Sequence, residues 1–303
     1  MNLHTLRETP PEWLGAALER FERQFVYPLG TDGTFRISHG RNYLPFFAAM
    51  GAATVLVAEE AGAVLGTLAR VERWIAFHDS CPRKQLVHYL ADLKICPQAR
   101  NGRVLARLIL TAKQQIEQSN SRSCYSIVME GTARLPLEYT GRLGVPVFER
   151  LAEIMILRIT SSLAGDSSNV SPVIIPPKPD CIVTGGRREE RSRMLPVPVV
   201  DSAWLEDTRN AKQLWTNEQV EMVSAHLSSF HFDDPSRGAA VIRAAMRALS
   251  GGAVPALFLA VPKSRYPGLR AELHDLHITE APATIYGYRI SRDHDWWVDT
   301  AEI

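Results

Sequence analysis

Apolar residues recur along the first half of the chain with two different periods, and the switches between them mark its elements. Leu14, Leu18, Phe21 and Phe25 return at helical spacing and predict an amphipathic helix. Thr9-Pro10-Pro11-Glu12 before it reads as a capping box with proline at the first helical position, and His4 to Arg7 as a short edge strand. The run Thr54–Ala58, the turn signal Ala61-Gly62 and the extended run Ala63–Glu72 predict a β-hairpin. His88–Cys96 reads as a strand that stops at Pro97, which cannot donate to a ladder. From Arg103 to about Gln118, Leu105, Leu108, Ile109, Ala112 and Ile116 mark one helical face. Tyr125–Met129 is a buried strand, Thr132–Leu143 a helix interrupted near Pro136, and Phe148–Ile159 a long strand expected to close the unit.

After residue 160 this periodicity lapses. Ser161-Ser162, Pro176-Pro177, Gly185-Gly186 and Pro196 punctuate a Pro/Gly/Ser-rich linker over 161–200, which separates a domain over 1–160 from one over 201–303. Its mixed-charge run Arg187–Arg193 reads as solvated surface. Beyond it, Thr216–Leu227, Ser236–Leu249 and Tyr266–Leu276 read as helices, and 255–261 and 283–290 as strands. The fold class expected is α/β, a mixed and mostly antiparallel sheet flanked by helices, with a smaller C-terminal α/β domain.

Composition removes several function classes. Lys+Arg number 34 and Asp+Glu 33, so no global field draws in a nucleic acid or an anionic membrane, and neither is expected as a partner. No apolar run approaches the about 18 residues of a spanning helix, and no basic-then-apolar leader opens the sequence. The four cysteines show no CxxC spacing, which fits reduced thiols and a cytoplasmic location. The groups His226/His231/Asp233/Asp234, His274/His277 and Asp293/His294/Asp295 read as solvated faces and turn caps, and no metal is expected. Trp296-Trp297 reads as a packing anchor or part of an interface.

One place carries candidate chemistry. A strand ending in a tight turn that feeds a helix presents unpaired amides and a partial positive charge, the makings of a phosphate site. Arg100-Asn101-Gly102-Arg103 occupies that place, although such units also occur as plain surface connections.

The segment from Ala91 to Leu105 resembles the acetyl-CoA-binding segment of the GNAT acyltransferase superfamily, where a strand ending near a proline leads into an Arg/Gln-x-x-Gly-x-Gly/Ala turn and a helix. Aligning Arg100 with the family's arginine puts Arg103 and Val104-Leu105 where glycines are usual; aligning Gly102 with the first glycine puts Ala99 at the arginine. The hairpin around Glu59–Gly66, the segment Tyr139-Thr-Gly-Arg-Leu-Gly144 and the strand 148–159 also agree with the family in order, so the resemblance spans residues 4–160. A degenerate half-domain of the same kind is expected over 200–303.

The resemblance implies an N-acyltransferase that moves an acyl group from acetyl-CoA or another acyl-CoA to a primary amine of a small molecule. It implies backbone recognition of the cofactor by Leu93, Lys94 and Ile95, in a gap between strands 88–96 and 125–129. Its phosphates would be held by Arg100, Asn101, Gly102, Arg103, Val104 and Leu105. Asp92 stands where some members carry a catalytic base, Tyr139 where the family has its acid, and Glu130 is a spare base. By analogy, Arg36, Arg41, Tyr43, Phe46 and Phe47 would line the acceptor pocket. The alternatives left open are a catalytically silent acyl-CoA-binding or regulatory module, and a longer acyl chain or an acyl carrier protein as donor.

Overall fold

The chain enters as edge strand β1 (Asn2–Leu6), and its first apolar stripe becomes helix α1 (Glu12–Glu22), which buries Leu14, Leu18 and Phe21 at about 2 kcal/mol each. The expected capping box does not form. Pro11 is the N-cap and offers no side-chain acceptor, while the Thr9 hydroxyl instead receives the Asn42 amide at 3.1 Å. Next come β2 (Tyr27–Leu29), β3 (Gly33–Ser38), the short helix α2 (Leu44–Ala48) and the hairpin β4 (Ala52–Glu60) and β5 (Ala63–His78). Ala61, at φ 51°, and Gly62, at φ 80°, both take the left-handed conformation in that hairpin's turn, and glycine adopts it without strain. Then follow β6 (Arg83–Ile95), α3 (Val104–Glu117), β7 (Cys124–Met129), a single turn α4 (Pro136–Tyr139) and β8 (Glu149–Ile159).

The remainder comprises β9 (Cys181–Val183), β10 (Arg193–Pro198), β11 (Trp204–Asp207), β12 (Gln213–Thr216), β13 (Ala225–Ser228), α5 (Pro235–Leu249), β14 (Leu257–Pro262), α6 (Tyr266–Glu272), β15 (Ile278–Tyr288) and β16 (Asp295–Trp297). This computed structural model describes residues 1–30, 33–78, 81–100, 102–132, 134–142, 144–160, 181–184, 203–250 and 253–303, with 193–198 described in backbone alone. The expected mixed-charge run Arg187–Arg193, except Arg193, and most of the expected linker lie outside the described residues; within the linker's span, β9 and β10 are strands.

Among the described residues one large sheet runs through both halves, in the order β1-β4-β5-β6-β7-β15-β8-β14-β13-β11-β10. The pairs are antiparallel except β6 with β7 and β13 with β14, besides a short parallel pair of β16 with β9. The expectation that strand 148–159 closes the first unit is corrected. β15, from the far end of the sequence, lies between β7 and β8 and pairs antiparallel with both. β8 in turn pairs with β14. The succession strand–helix–strand–helix–strand therefore occurs twice, as β6-α3-β7-α4-β8 and β13-α5-β14-α6-β15, and each succession gives its last strand to the middle of the shared sheet.

A second correction concerns 216–227, expected as a helix. Gln213–Thr216 instead pairs with β3 and Ala225–Ser228 with β11 and β14, around a turn at Asn217–Gln219 in which Gln219 has φ 62°. Strand pairing across long sequence distance overrode the local pattern. The helix expected over 132–143 is reduced to α4.

The sheet's two faces are covered differently. Helices α3, α5 and α6 pack on one; α1, α2 and the small sheet β12-β3-β2 cover the other, around Phe21, Phe35, Tyr89, Tyr125, Ile154, Ile156 and Trp296. Gly66 lets the start of α3 approach the sheet, because a Cβ there would lie 2.9 Å from the Val104 side chain.

Candidate active site

Strand β6 carries an extra residue against β5. Thr67 pairs with Lys94 and Ala69 with Ala91, so Asp92 and Leu93 together face Leu68 across a bulge. Asp92 has φ 54°, in the left-handed region, and its carbonyl accepts the Thr67 hydroxyl at 2.9 Å. The bulge turns the Asp92 side chain toward the α1 face, where the Lys94 ammonium lies 2.5 Å from Oδ1.

Lys94 reaches a second carboxylate, Glu22 of α1, at 2.8 Å, and Glu22 also receives the His39 backbone amide at 2.7 Å and meets the His39 ring Nδ1 at 2.8 Å. The cluster is buried, with the side chains of Lys94 and Glu22 only 3% and 2% exposed. Burial alone disfavours the Glu22 charge, but Lys94 and His39 outweigh it and hold the carboxyl down at about 2. For Lys94, burial favours the neutral amine, and Asp92, Tyr27, Tyr43 and Glu22 overcome it and keep the ammonium well above its ordinary range. The rings of Tyr27 and Tyr43 stand 5.8 and 5.7 Å from the Lys94 nitrogen, and burial pushes both phenols up.

Three buried polar atoms around this cluster have no hydrogen-bond partner: Asp92 Oδ2, His39 Nε2 and the Tyr43 hydroxyl. Such atoms are rare in a folded interior unless something else meets them. Glu22, His39 and Asp92 offer ligand atoms within 4.8 Å of one another, a spacing that would suit a divalent cation. Lys94 already brings a positive charge to both carboxylates of the set.

Beside the bulge the sheet opens. β6 and β7 pair only at His88 with Cys124 and Tyr89 with Tyr125, then part, leaving the later backbone of each without a partner in the other. Tyr89 and Tyr125 stack across the fork, ring centroids 4.8 Å apart and planes 16° from parallel, and floor the gap on the α1 face. Backbone groups of Leu93, Lys94 and Ile95 border it, while the side chains of Leu93 and Ile95 pack with Val104 and Leu108 beneath α3.

At the gap's open end the chain makes a 3-10 turn, Pro97–Ala99, then enters α3. No side chain caps α3, whose N-cap is Arg103; Arg100, Gly102 and Arg103 are exposed, and neither arginine has an ion-pair partner among the described residues. Gly102 donates its amide to the Ala99 carbonyl at 3.0 Å, so the amides left for an anion come from the first turn at Arg103, Val104 and Leu105. Asn101 lies outside the described residues.

Tyr139 sits in α4, whose loop runs on the α3 side of the sheet: Gly144 approaches Lys113, and Tyr139 is influenced by Tyr286, which packs with Ile116 and Phe148. Burial, helped by Glu138, pushes its phenol up to about 12. Asp92 and Tyr139 therefore belong to opposite faces of the sheet. Glu130 is exposed at the end of β7.

Of the acceptor-pocket candidates, Tyr43, Phe46 and Phe47 gather around the His39 ring with centroids 4.8 to 5.5 Å away. Arg41 instead reaches Glu19 and Glu12 on the surface, and Arg36 donates to the Asn217 carbonyl. His226, expected on a solvated face or as a turn cap, is buried on β13, whereas Asp234 is the N-cap of helix α5. Sequence reasoning missed Glu22, His39 and the side-chain role of Lys94. The readable signal was Glu22, a carboxylate on the same helix face as Leu14, Leu18 and Phe21.

No protein-family model matches the sequence, and neither does any curated protein. Solved structures do match in fold. Saccharomyces cerevisiae N-myristoyltransferase with bound myristoyl-CoA aligns over 96% of this chain and 84% of its own, at 6% identity and a TM-score of 0.56. A second structure of that enzyme, with myristoyl-CoA and inhibitors, aligns over 96% and 81% at 8% identity and a TM-score of 0.55. The chain has this GNAT-type fold, a mostly antiparallel sheet flanked by helices.

Proposed function

We propose that the protein is an acyl-CoA-dependent N-acyltransferase that transfers an acyl group to the primary amine of a small molecule, by direct attack within a ternary complex. The observation that carries this reading is the fork between β6 and β7, opening beside the uncapped start of α3. Unpaired strand backbone suits the amides of a pantetheine arm, and the helix start with Arg100 and Arg103 suits a pyrophosphate. The yeast enzyme of the same fold binds myristoyl-CoA, which supports an acyl-CoA as co-substrate here.

In this reading the amine nitrogen bonds to the thioester carbonyl carbon and the carbon–sulfur bond breaks. Asp92 takes the amine's proton: Lys94 holds Oδ1, and Oδ2 is buried with no other partner. Tyr139, kept protonated by burial, returns a proton to the departing thiolate from the other side of the gap. Tyr43 and His39 offer the acceptor amine further polar contacts.

Thermal shift with free CoA, acetyl-CoA and longer acyl-CoAs up to myristoyl-CoA tests the first step and reads the chain length. Stabilisation by none of them refutes the proposal. Turnover is then measured against a panel of primary amines, where Asp92→Asn is expected to lower kcat about a hundredfold and Tyr139→Phe about tenfold. Stabilisation without turnover on any amine would make the chain an acyl-CoA-binding module instead. Unchanged rates in both variants would place the proton carriers elsewhere.

A further inference from the structure

Glu22, at the end of α1, is held by protein groups on both of its oxygens. Oε2 accepts the His39 amide at 2.7 Å, and Oε1 meets the His39 ring Nδ1 and the Lys94 ammonium, each at 2.8 Å. A carboxylate bound in this way is fixed in place, and it acts on a reaction through the groups it holds.

One of those groups is Lys94, whose ammonium also lies 2.5 Å from Asp92 Oδ1. The rings of Phe25, Tyr27 and Tyr43 stand 5.7 to 5.9 Å from the same nitrogen, so aromatic faces take up the rest of its surroundings. A single ammonium therefore serves two buried carboxylates, and with a neutral His39 ring the cluster keeps one negative charge over. Burial removes the screening of water, so the division of that ammonium between its two partners is felt strongly by each.

The division settles how Asp92 stands. Its backbone is set by the bulge, at φ 54°, and its side chain by Lys94 at Oδ1, which leaves Oδ2 buried and unpaired. Without Glu22 the ammonium would answer to Asp92 alone, able to bridge both oxygens and to cancel the carboxylate's charge in full. An aspartate closed off by its own ion pair is a poor acceptor of protons.

We infer that Glu22 is a positioning residue for the acyl transfer: by sharing Lys94 with Asp92 it keeps the ammonium on Oδ1 and leaves Oδ2 open and negative toward the amine. This rests on the proposed acyl transfer and extends its machinery to α1, to a residue that acts through Lys94.

The test is a kinetic cycle of Glu22→Gln, Asp92→Asn and the double variant, with Glu22→Asp as the substitution that keeps the charge, all assayed well below their melting temperatures. Glu22→Gln should lower kcat about tenfold and leave KM for acyl-CoA within about twofold, because the fork and the start of α3 are untouched. In the Asp92→Asn background the same substitution should change kcat little, since the group it acts on is gone. Glu22→Asp should recover part of the loss. A merely structural Glu22 would lower kcat by the same factor with and without Asp92, so multiplicative losses overturn the inference. A Glu22→Gln enzyme at the wild-type rate overturns it as well, and so does an Asp92→Asn enzyme at that rate. Should Glu22→Gln fail to fold, Glu22→Asp in the two backgrounds makes the same comparison, with a severalfold loss expected only where Asp92 is present.

Acyl-CoA thermal shifts and urea unfolding of the same proteins separate this inference from the reading beneath it. Non-additive unfolding of the Glu22 and Asp92 variants reports their coupling through Lys94 without any turnover. A normal acyl-CoA shift and turnover with multiplicative losses in kcat defeats only the positioning role. Coupled unfolding with no acyl-CoA shift defeats the acyl transfer, and the positioning role with it, while the ion cluster stands.

Discussion

The two crossover units of the shared sheet, β6-α3-β7 and β13-α5-β14, are alike in backbone and differ at the start of the helix each contains. Each pairs its parallel strands at two positions, His88–Cys124 and Tyr89–Tyr125 in the first, Ala225–Leu257 and His226–Phe258 in the second. Each connects them through an amphipathic helix, of 14 and 15 residues. In the second unit the helix start is covered by the chain itself: the Asp234 carboxylate accepts the amides of Ser236 at 2.9 Å and Arg237 at 3.1 Å. Beside its strands, His226 has both ring nitrogens near hydroxyls, Thr300 at 2.9 Å and Thr208 at 3.3 Å. In the first unit α3 has no such cap, and Asp92 of β6 keeps a buried polar atom unpaired, as do His39 and Tyr43 packed beside it. One fold motif thus closes its own helix start in the second unit and leaves it open in the first, the opening on which the proposed function rests.

The largest expected effect comes from the ion cluster that joins the first unit's Asp92 and Lys94 to Glu22 and His39. Glu22→Ala would leave Lys94 and His39 without their shared carboxylate and should cost about 3–5 kcal/mol in urea unfolding. Acid gives the same information without mutation. The folded Glu22 carboxyl sits at about 2 against an ordinary 4.5, so the native state holds its proton less tightly than the unfolded chain. The stabilisation is therefore fully present above about 4.5 and is lost as pH falls toward about 2, amounting to about 3 kcal/mol. Glu22→Gln should flatten that part of the stability curve; a variant as acid-sensitive as the wild type would mean that Lys94 and Glu22 are not coupled as the geometry indicates.

The same contrast explains what the sequence made legible. Elements with a local period were readable, α1 from its Leu14–Phe21 stripe and α3 from Leu108, Ala112 and Ile116, as was the strand–turn–helix at Arg100–Arg103. The insertion of β15 between β7 and β8 was not, because no residue within either strand specifies a partner more than about a hundred positions away. The bulge at Asp92 was hidden for a related reason: an extra residue is defined only against β5. The charged cluster joins positions 22, 39, 92 and 94 from three separate parts of the chain, and the one sign of it in the sequence, the carboxylate of Glu22 on an apolar stripe, was missed.

A sharper form of the comparison reverses the charge at the uncapped helix. Arg100→Glu with Arg103→Glu puts acids where the second unit has its Asp234, and should weaken CoA binding by about tenfold or more, with little change in melting temperature because both arginines are exposed and unpaired among the described residues. The weakening should shrink with added salt, since exposed charges are screened over about 10 Å at 0.1 M. Salt-independent binding, or affinity untouched by the double reversal, would move the phosphates away from α3.

The smallest effect is the converse experiment on the second unit. Asp234→Ala removes the cap of α5, exposing the amides of Ser236 and Arg237, and should lower stability by about 1 kcal/mol. It should leave CoA affinity where it was, because the loss lies in a helix that the chain had closed for itself. If the variant instead gains a second CoA equivalent in calorimetry, the carboxylate of Asp234 is what keeps the second unit silent. If it loses affinity at the first, the two units are coupled through the strands they exchange, β15 beside β7 and β8 beside β14. Either result would turn the likeness of the two units from a feature of architecture into one of function.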